Sequence, residues 1–263
     1  MSMKYIENDA AGFYCEDGTP VQDFISKLSG LVRLNPWVLE PFRDSRDDVK
    51  QVMAEKGMQL YSTVKKTTLI YEPEAGCFLK ILHPLNAKHR ILFRCRDRAR
   101  AIRTVSDRLR SEGIKTMKVI AYGHFKKGRR PFFVVRKAEG ESLYDILIRG
   151  KRTLEMDVYL NVMSEVAKIH CLGYWLGDAH LSHIFINGVQ VSGIIDIDSI
   201  RRDRSFLLNN RAKDIAGLNH PELPLTQGEK KDVLYHYIHA AGIKNEGKFL
   251  RLLTHYTERR WKD

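Results

Sequence analysis

Short runs of apolar and β-branched residues after residue 58 predict a sheet. Three runs cover Leu60 to Val64, Thr67 to Tyr71 and Cys77 to Leu82, and turn residues separate them. Two more runs, Met117 to Tyr122 and Phe132 to Val135, flank a basic turn. Short β-branched and aromatic runs bounded by turns are typical of antiparallel strands. The pattern therefore predicts three strands, a connection and two further strands.

Apolar residues recur at helical spacing in the connection between the third and fourth predicted strands and in most of the second half of the chain. Residues 88–112 contain neither Gly nor Pro, and Gly113 comes directly after them, so we expect one helix from Lys88 to Glu112. Beyond Gly140 the same spacing predicts helices over Leu143 to Ile148 and Leu154 to Leu172, two short strands at 184–186 and 191–197, and final helices at 232–241 and 248–256.

The first 55 residues show no sustained period and are interpreted as an irregular leader of unassigned role. Asp17 to Pro20 predicts a turn and Val21 to Leu31 a short amphipathic helix, with Pro36 and Pro41 interrupting the residues after that helix. Acidic residues near the start are not typical of a signal peptide, and no run of apolar residues is long enough to cross a membrane. We therefore expect a cytoplasmic protein.

Charge and cysteine content favour some classes of function and argue against others. The 44 Lys and Arg exceed the 32 Asp and Glu, which gives a formal net charge of +12 and favours an anionic partner. Charge alone does not separate nucleic acid, an acidic membrane and phosphorylated molecules. Four cysteines without a Cys-x-x-Cys pair argue against a disulfide framework and a thiolate zinc site.

The densest candidate chemistry lies between residues 177 and 198. A polar loop holds Asp178 and His183 between a helix and a strand, and Asp196 and Asp198 end the next strand. Convergent carboxylates at strand ends suit a divalent metal with bound phosphates. His180 and His183 form a His-x-x-His pair that leaves zinc as an alternative, although no helix is predicted there to align both rings.

These motifs and their order resemble the protein-kinase-like fold, and within it the bacterial lipopolysaccharide kinases that phosphorylate Kdo or core heptose. The resemblance covers residues 56–220. The matching stretches are Phe78-Leu79-Lys80, Gly113 to Val119 with Tyr122-Gly123, Asp178 to His183, Ile195 to Asp198 and Ala212 to Leu218. It implies an α+β, two-lobed fold with an N-terminal extension (1–55), a small antiparallel-sheet N-lobe with one helix (56–137) and a mostly helical C-lobe (138–263).

The resemblance also assigns roles to individual residues. Lys80 would bind the phosphates of ATP, Asp178 would act as the catalytic base, and Asp196, His183 and Asp198 would hold Mg²⁺. Two alternatives stay open. Lys80 is also explained as a solvated lysine on an edge strand, and His183 as a core histidine bonded to the backbone.

Two departures from the family pattern leave a pseudokinase open. The loop before the second strand has no glycine, so Lys65 or Lys66 would assist with the phosphates. Ala138 would be a further nucleotide contact. The long helix lacks the usual Glu, for which Asp97 is the only substitute. Asp214 matches the aspartate that braces the catalytic loop.

The function implied is ATP-dependent phosphorylation of a heptose or Kdo hydroxyl in the lipid A-core glycolipid, at the inner face of the inner membrane. Residues 88–118 carry eleven Lys and Arg against three acidic residues, which suits an anionic glycolipid or a solvated face equally. A small-molecule or protein substrate is the near alternative. A basic nucleic-acid-binding protein is the rival class, although no specific nucleic acid is expected. The C-terminal helix either packs onto the C-lobe or lies at the membrane interface.

Overall fold

The computed structural model describes residues 3–16, 20–40, 47–203, 205 and 207–262. The chain divides into two compact units. Unit 1 comprises the chain up to Asp107 together with Lys118–Lys137, and unit 2 comprises Arg108–Met117 together with the chain from Ala138 onward. No helix among the described residues is long and apolar enough to cross a membrane.

Unit 1 is built on a seven-stranded antiparallel sheet in the order β1-β2-β6-β7-β5-β4-β3. The strands are β1 (Met3–Glu7), β2 (Ala11–Glu16), β3 (Gln59–Val64), β4 (Thr67–Glu72), β5 (Cys77–Leu82), β6 (Val119–Phe125) and β7 (Arg130–Arg136). The five strands predicted from the sequence are confirmed. Strand β6 begins two residues later and extends three residues further than its apolar run.

The expectation of an irregular leader is wrong for the described N-terminal residues. Strands β1 and β2 add two members to the sheet, because β2 pairs with β6 from Ala11 opposite Phe125 to Cys15 opposite Ala121. Helix α1 (Val21–Leu34) has a buried apolar face and extends three residues beyond the predicted end. A second helix, α2 (Asp47–Ala54), comes after it. The predicted turn at 17–19 and Pro41 lie outside the described residues.

The single helix expected from Lys88 to Glu112 is two helices, α3 (Ala87–Cys95) and α4 (Arg98–Ser111). Arg96 is extended, and the Asp97 carboxylate accepts a hydrogen bond from Arg100 N–H at 2.9 Å, which is how a helix N-terminus is capped. Asp97 therefore caps α4, and unit 1 has more helices than the one predicted. Gly113 ends α4 in the left-handed conformation, as expected.

Unit 2 is mainly helical. Its main helices are α5 (Met156–Cys171), α6 (Leu208–Leu218), α7 (Gln227–Ala240) and α8 (Glu246–Arg260); its short strands are β8 (Glu141–Ser142), β9 (Tyr174–Trp175), β10 (Ile184–Asn187), β11 (Gln190–Ile194) and β12 (Arg201–Arg202). Strand β10 pairs with β8 and β11, and β9 pairs with β12. Helix α8 buries Phe249 and Leu253, and Trp261 Nε1 donates to Ala216 C=O at 3.0 Å. The C-terminal helix thus packs onto unit 2.

Candidate active site

The loop between β9 and β10 carries the predicted base. Gly177 has φ +80°, and a Cβ there would lie 2.3 Å from the Ser199 carbonyl oxygen, so this position requires glycine. The next residue, Asp178, has a side chain that is 62% exposed. The close approach of two backbone segments holds the loop in place while its carboxylate faces solvent.

Asp214 on α6 braces that loop, as the resemblance implies. Its carboxylate accepts hydrogen bonds from Leu176 N–H at 2.6 Å and from Gly177 N–H at 3.2 Å. Asp214 is 1% exposed, so these charge-assisted bonds have no water to compete with them. The backbone immediately before Asp178 is therefore fixed by a buried anion.

Two further residues complete the brace, and no sequence motif marks them. His170 Nε2 lies 3.0 Å from Asp214 Oδ2, and because a carboxylate only accepts, His170 donates this bond. Tyr237 OH lies 2.6 Å from His170 Nδ1. Burial raises the pKa of the Tyr237 hydroxyl above its ordinary value. His170 and Tyr237 are far apart in the sequence, and their only shared signal is a polar side chain on the apolar face of a helix.

Asp196 lies just beyond β11 in an unusual backbone conformation. Its φ is +61°, which is uncommon for a residue other than glycine and marks local strain. Ser199 N–H donates to Asp196 C=O at 2.9 Å, and Ser199 Oγ lies 2.8 Å from both Asp196 C=O and Leu176 C=O. Ser199, also absent from the predicted site, thus ties the Asp196 segment to the loop that carries Asp178.

The expected extended path from Asp196 to Asp198 is wrong. Residues 197–199 form a turn closed by Ser199, so Asp196 and Asp198 do not end one extended strand, in which residues two apart would share a face. Asp198 lies half-buried in this turn. The physical reason is the left-handed backbone conformation of Asp196, which turns the chain shortly after β11 ends.

His183 is oriented by the same loop. Its Nδ1 lies 2.9 Å from Asp178 C=O, and because a carbonyl only accepts, Nδ1 donates this bond, which leaves Nε2 as the metal-binding nitrogen of the neutral ring. Ile195 N–H donates to His183 C=O at 2.9 Å, which joins this residue to the segment before Asp196. The histidine is thus bonded to the backbone and still has one nitrogen able to bind a metal.

The described residues contain no group of three or more His, Cys, Asp or Glu side chains placed to hold a metal ion. The zinc alternative therefore lacks a ligand set there. His180 Nδ1 accepts from Ser182 N–H at 3.2 Å, which caps the short turn at Leu181–His183. Burial, and to a lesser degree nearby His183 and Arg260, lower the pKa of His180.

The nucleotide residues predicted in unit 1 lie on β5 and on the β3–β4 turn. Lys80 is half-buried on β5, opposite Leu69 on one side and Phe133 on the other. It therefore lies on an interior strand, and the edge-strand explanation is wrong. Lys65 is exposed in the two-residue β3–β4 turn. Ala138, the first residue of unit 2 after β7, is half-buried.

Arg260 at the end of α8 reaches the predicted base. Its guanidinium donates to Ala179 C=O at 2.8 Å and lies 3.4 Å from Asp178 Oδ1. The neighbouring Trp261 ring packs edge-on against His220, with centroids 4.6 Å apart. The end of the C-terminal helix therefore forms part of the surroundings of Asp178, which no motif in the sequence indicated.

Comparison with known proteins identifies the fold. No family model and no curated protein matches the chain. WbdD in complex with the kinase inhibitor LY294002 aligns with a TM-score of 0.51 and 17% identity over 92% of this chain and 67% of that chain. An aminoglycoside-3'-phosphotransferase of type VIII aligns with a TM-score of 0.47 and 14% identity over 80% and 98%.

The bifunctional kinase-methyltransferase WbdD gives a TM-score of 0.46 and 13% identity over 73% of this chain, which spans about half (47%) of that chain. The α+β fold is protein-kinase-like, as the resemblance implied, and the alignment with a TM-score of 0.51 supports this fold.

Proposed function

We propose that the protein is a kinase that transfers the γ-phosphate of ATP to a sugar hydroxyl, of heptose or Kdo, in the inner core of lipopolysaccharide. The observation that carries this proposal is the exposed Asp178 carboxylate on a loop immobilised by buried Asp214. A surface aspartate without a catalytic role has no need for such a brace. Kinase chemistry needs a base held in one position.

Asp178 would accept the proton of the attacking hydroxyl. The acceptor oxygen forms a bond to the γ-phosphorus, the bond from that phosphorus to the β–γ bridging oxygen breaks, and ADP leaves. Proton transfer to a positioned carboxylate contributes about 10²- to 10⁴-fold to such a reaction. Arg260, 3.4 Å from Asp178 Oδ1, would hold this carboxylate in one orientation before the acceptor binds.

Lys80 would bind the phosphates of ATP, with Lys65 assisting and Ala138 contacting the nucleotide. The interior position of Lys80 supports this role, because hydrogen-bond ladders on both sides fix the point from which the side chain extends. A lysine suits this task as a compact charge on a long stem.

The donor set near Asp178 fits Mg²⁺ bound jointly with phosphates. Asp196 and His183 would hold the ion, with Asp198 as a further carboxylate. His183 leaves Nε2 available because Nδ1 donates to the backbone, and Mg²⁺ commonly takes few protein ligands and completes its shell with phosphate oxygens and water. When bound, Mg²⁺ supplies positive charge that neutralises the transferring phosphate.

Helix α3 supports peripheral attachment to an anionic membrane. None of its nine residues is buried, and Ile91 (62%) and Leu92 (39%) are exposed beside Lys88, Arg90 and Arg94. Exposed apolar side chains between cations suit insertion at a lipid surface, whereas phosphate contact with nucleic acid requires the cations alone.

Sedimentation with vesicles tests this attachment. The wild type is expected to bind phosphatidylglycerol vesicles and not phosphatidylcholine vesicles, Ile91→Glu to lose binding, and Val189→Glu, which changes another exposed apolar residue, to retain it. Equal binding by Ile91→Glu would contradict the attachment. Preferential binding to duplex DNA would favour the nucleic-acid alternative instead.

The acceptor is tested by transfer of label from γ-labelled ATP with Mg²⁺. Lipopolysaccharide stripped of its core phosphates, an aminoglycoside and a generic protein substrate are offered in parallel. Label in the stripped glycolipid, and none in intact lipopolysaccharide, is the expected result. Label in the aminoglycoside or the protein would leave a kinase with a different acceptor. Stabilisation by ATP without any transfer would indicate a pseudokinase.

A further inference from the structure

A concave groove in unit 2 lies beside the loop that carries Asp178. Its walls include the aromatic rings of Trp175 and Tyr256 and the cationic side chains of Lys213, Arg259 and Arg260. Helix α6 supplies Lys213 and helix α8 supplies the other two cations. We call this surface the basic groove. Neither the predicted base nor the predicted metal ligands account for it.

Arg260 pairs with Asp178, but the other two cations of the basic groove are not balanced by a neighbouring carboxylate in the described residues. In the described part of the chain, no acidic side chain forms an ion pair with Lys213 or Arg259. Lys213 Nζ instead lies over the Tyr256 ring, 5.2 Å from its centroid. Asp214 also lines the groove, but its oxygens already accept the three hydrogen bonds of the loop brace. Cations gathered at one concave surface repel each other unless an anion joins them.

We propose that the basic groove binds an anionic substituent, a phosphate or a carboxylate, of the molecule whose hydroxyl Asp178 deprotonates. The proposal that an anion binds here depends only on the groove. The proposal that this anion positions the acceptor also rests on the proposed function. Arginine guanidinium groups bind phosphate and carboxylate through paired N–H donors, and the aromatic walls add apolar contact for the ring that carries the substituent.

The position of Arg260 limits where the anionic substituent lies on the acceptor. The same guanidinium lines the groove and lies 3.4 Å from Asp178 Oδ1. A group bound by Arg260 and a hydroxyl bound by Asp178 are therefore only a few bonds apart. The groove selects an acceptor whose anion and reactive hydroxyl lie on one sugar ring or on adjacent rings.

Direct binding to the full chain tests the site without requiring transfer. Glucose 6-phosphate, glucuronate and glucose are titrated separately, and tryptophan fluorescence reports binding because Trp175 lines the groove. The two anionic probes distinguish phosphate from carboxylate, and glucose is the neutral control. At least one anionic probe is expected to bind, and glucose is expected to bind at least about tenfold more weakly.

Charge-neutralising variants locate the binding. Lys213→Gln combined with Arg259→Gln is expected to weaken the anionic probe at least about tenfold, because two charge-assisted contacts are lost. Arg251→Gln is the control: it removes one charge from an exposed position of α8 that lies outside the groove. This variant is expected to bind the anionic probe as tightly as the wild type. All three residues are exposed, so urea unfolding midpoints should match the wild type.

Binding that is absent, equally strong for glucose, or unchanged in the double variant would overturn the proposal. Binding through a nucleotide site would be insensitive to Lys213 and Arg259 and would give this last result. If the double variant loses the anion but the wild type transfers no phosphate to any acceptor, the groove stands and the proposed function fails. The two failures are therefore distinguishable.

Discussion

Asp214→Asn is the substitution that tests the loop brace most cleanly. Asparagine has nearly the same volume, so the change alters hydrogen bonds and charge and leaves the packing intact. The carboxylate accepts from Leu176 N–H, Gly177 N–H and His170 Nε2. Since an amide has one acceptor oxygen, its NH₂ group must face at least one of these donors.

The cost of this substitution depends on burial. Asp214 is 1% exposed, so no water replaces the lost acceptor. One lost charge-assisted bond and two weakened ones should lower the free energy of unfolding by about 3 kcal/mol. For a chain of 263 residues this lowers the melting temperature by roughly 5 °C.

Urea unfolding monitored by tryptophan fluorescence measures this loss, with thermal unfolding as a second readout. Asp178→Asn is the matched control, because it makes the same chemical change at a carboxylate that is 62% exposed. The control should unfold within about 0.5 kcal/mol of the wild type. If Asp214→Asn also unfolds within that margin, the buried carboxylate does not hold the loop and its assigned role is wrong.

Two further predictions concern the loop and the sheet. Gly177→Ala should lower stability by at least about 1 kcal/mol and reduce phosphate transfer, because its Cβ would collide with the Ser199 carbonyl oxygen; wild-type stability and transfer would show that the loop shifts freely. Burial, and to a lesser degree Arg130, lower the pKa of His83 to about 4 from 6.5, so its contribution to stability is fully present above pH 6.5 and is lost as the pH falls towards 4. The loss amounts to about 3 kcal/mol. In His83→Leu the urea unfolding midpoint should therefore depend less on pH between about pH 4 and pH 7 than it does in the wild type. An unchanged pH dependence in this variant would contradict the assignment to His83.

The strands of unit 1 could be predicted where the local pattern of side chains is itself typical of a strand. Strands β3, β4, β5 and β7 carry β-branched and aromatic residues between clear turns. Strand β1 is short and has no buried residue, and its place in the sheet depends on pairing with β2, which in turn pairs with the distant β6. Local pattern contains no such information.

The helix break between α3 and α4 was hidden for a different reason. Neither Gly nor Pro marks it, and the apolar spacing continues across it. Asp97 lies just beyond the end of α3 and caps α4, an arrangement that depends on how its side chain competes for backbone N–H groups.

The sequence indicated the ionisable residues of the candidate site, but it did not indicate the residues that hold their loops in place. Asp178, Asp196 and Asp214 stand in motifs, whereas His170 and Tyr237 are polar positions on helices that meet only in the folded protein. The left-handed turn at Asp196 was equally hidden, because the residues before it predict an extended strand.

The role of Asp178 as the base of phosphate transfer is open to a direct kinetic measurement. This is the single-turnover rate of γ-phosphate transfer from ATP with Mg²⁺ to dephosphorylated lipopolysaccharide, in the wild type and in Asp178→Asn. We expect a rate about 10²- to 10⁴-fold lower in the variant, with an unchanged unfolding midpoint. Transfer by Asp178→Asn at the wild-type rate would show that Asp178 is not the base.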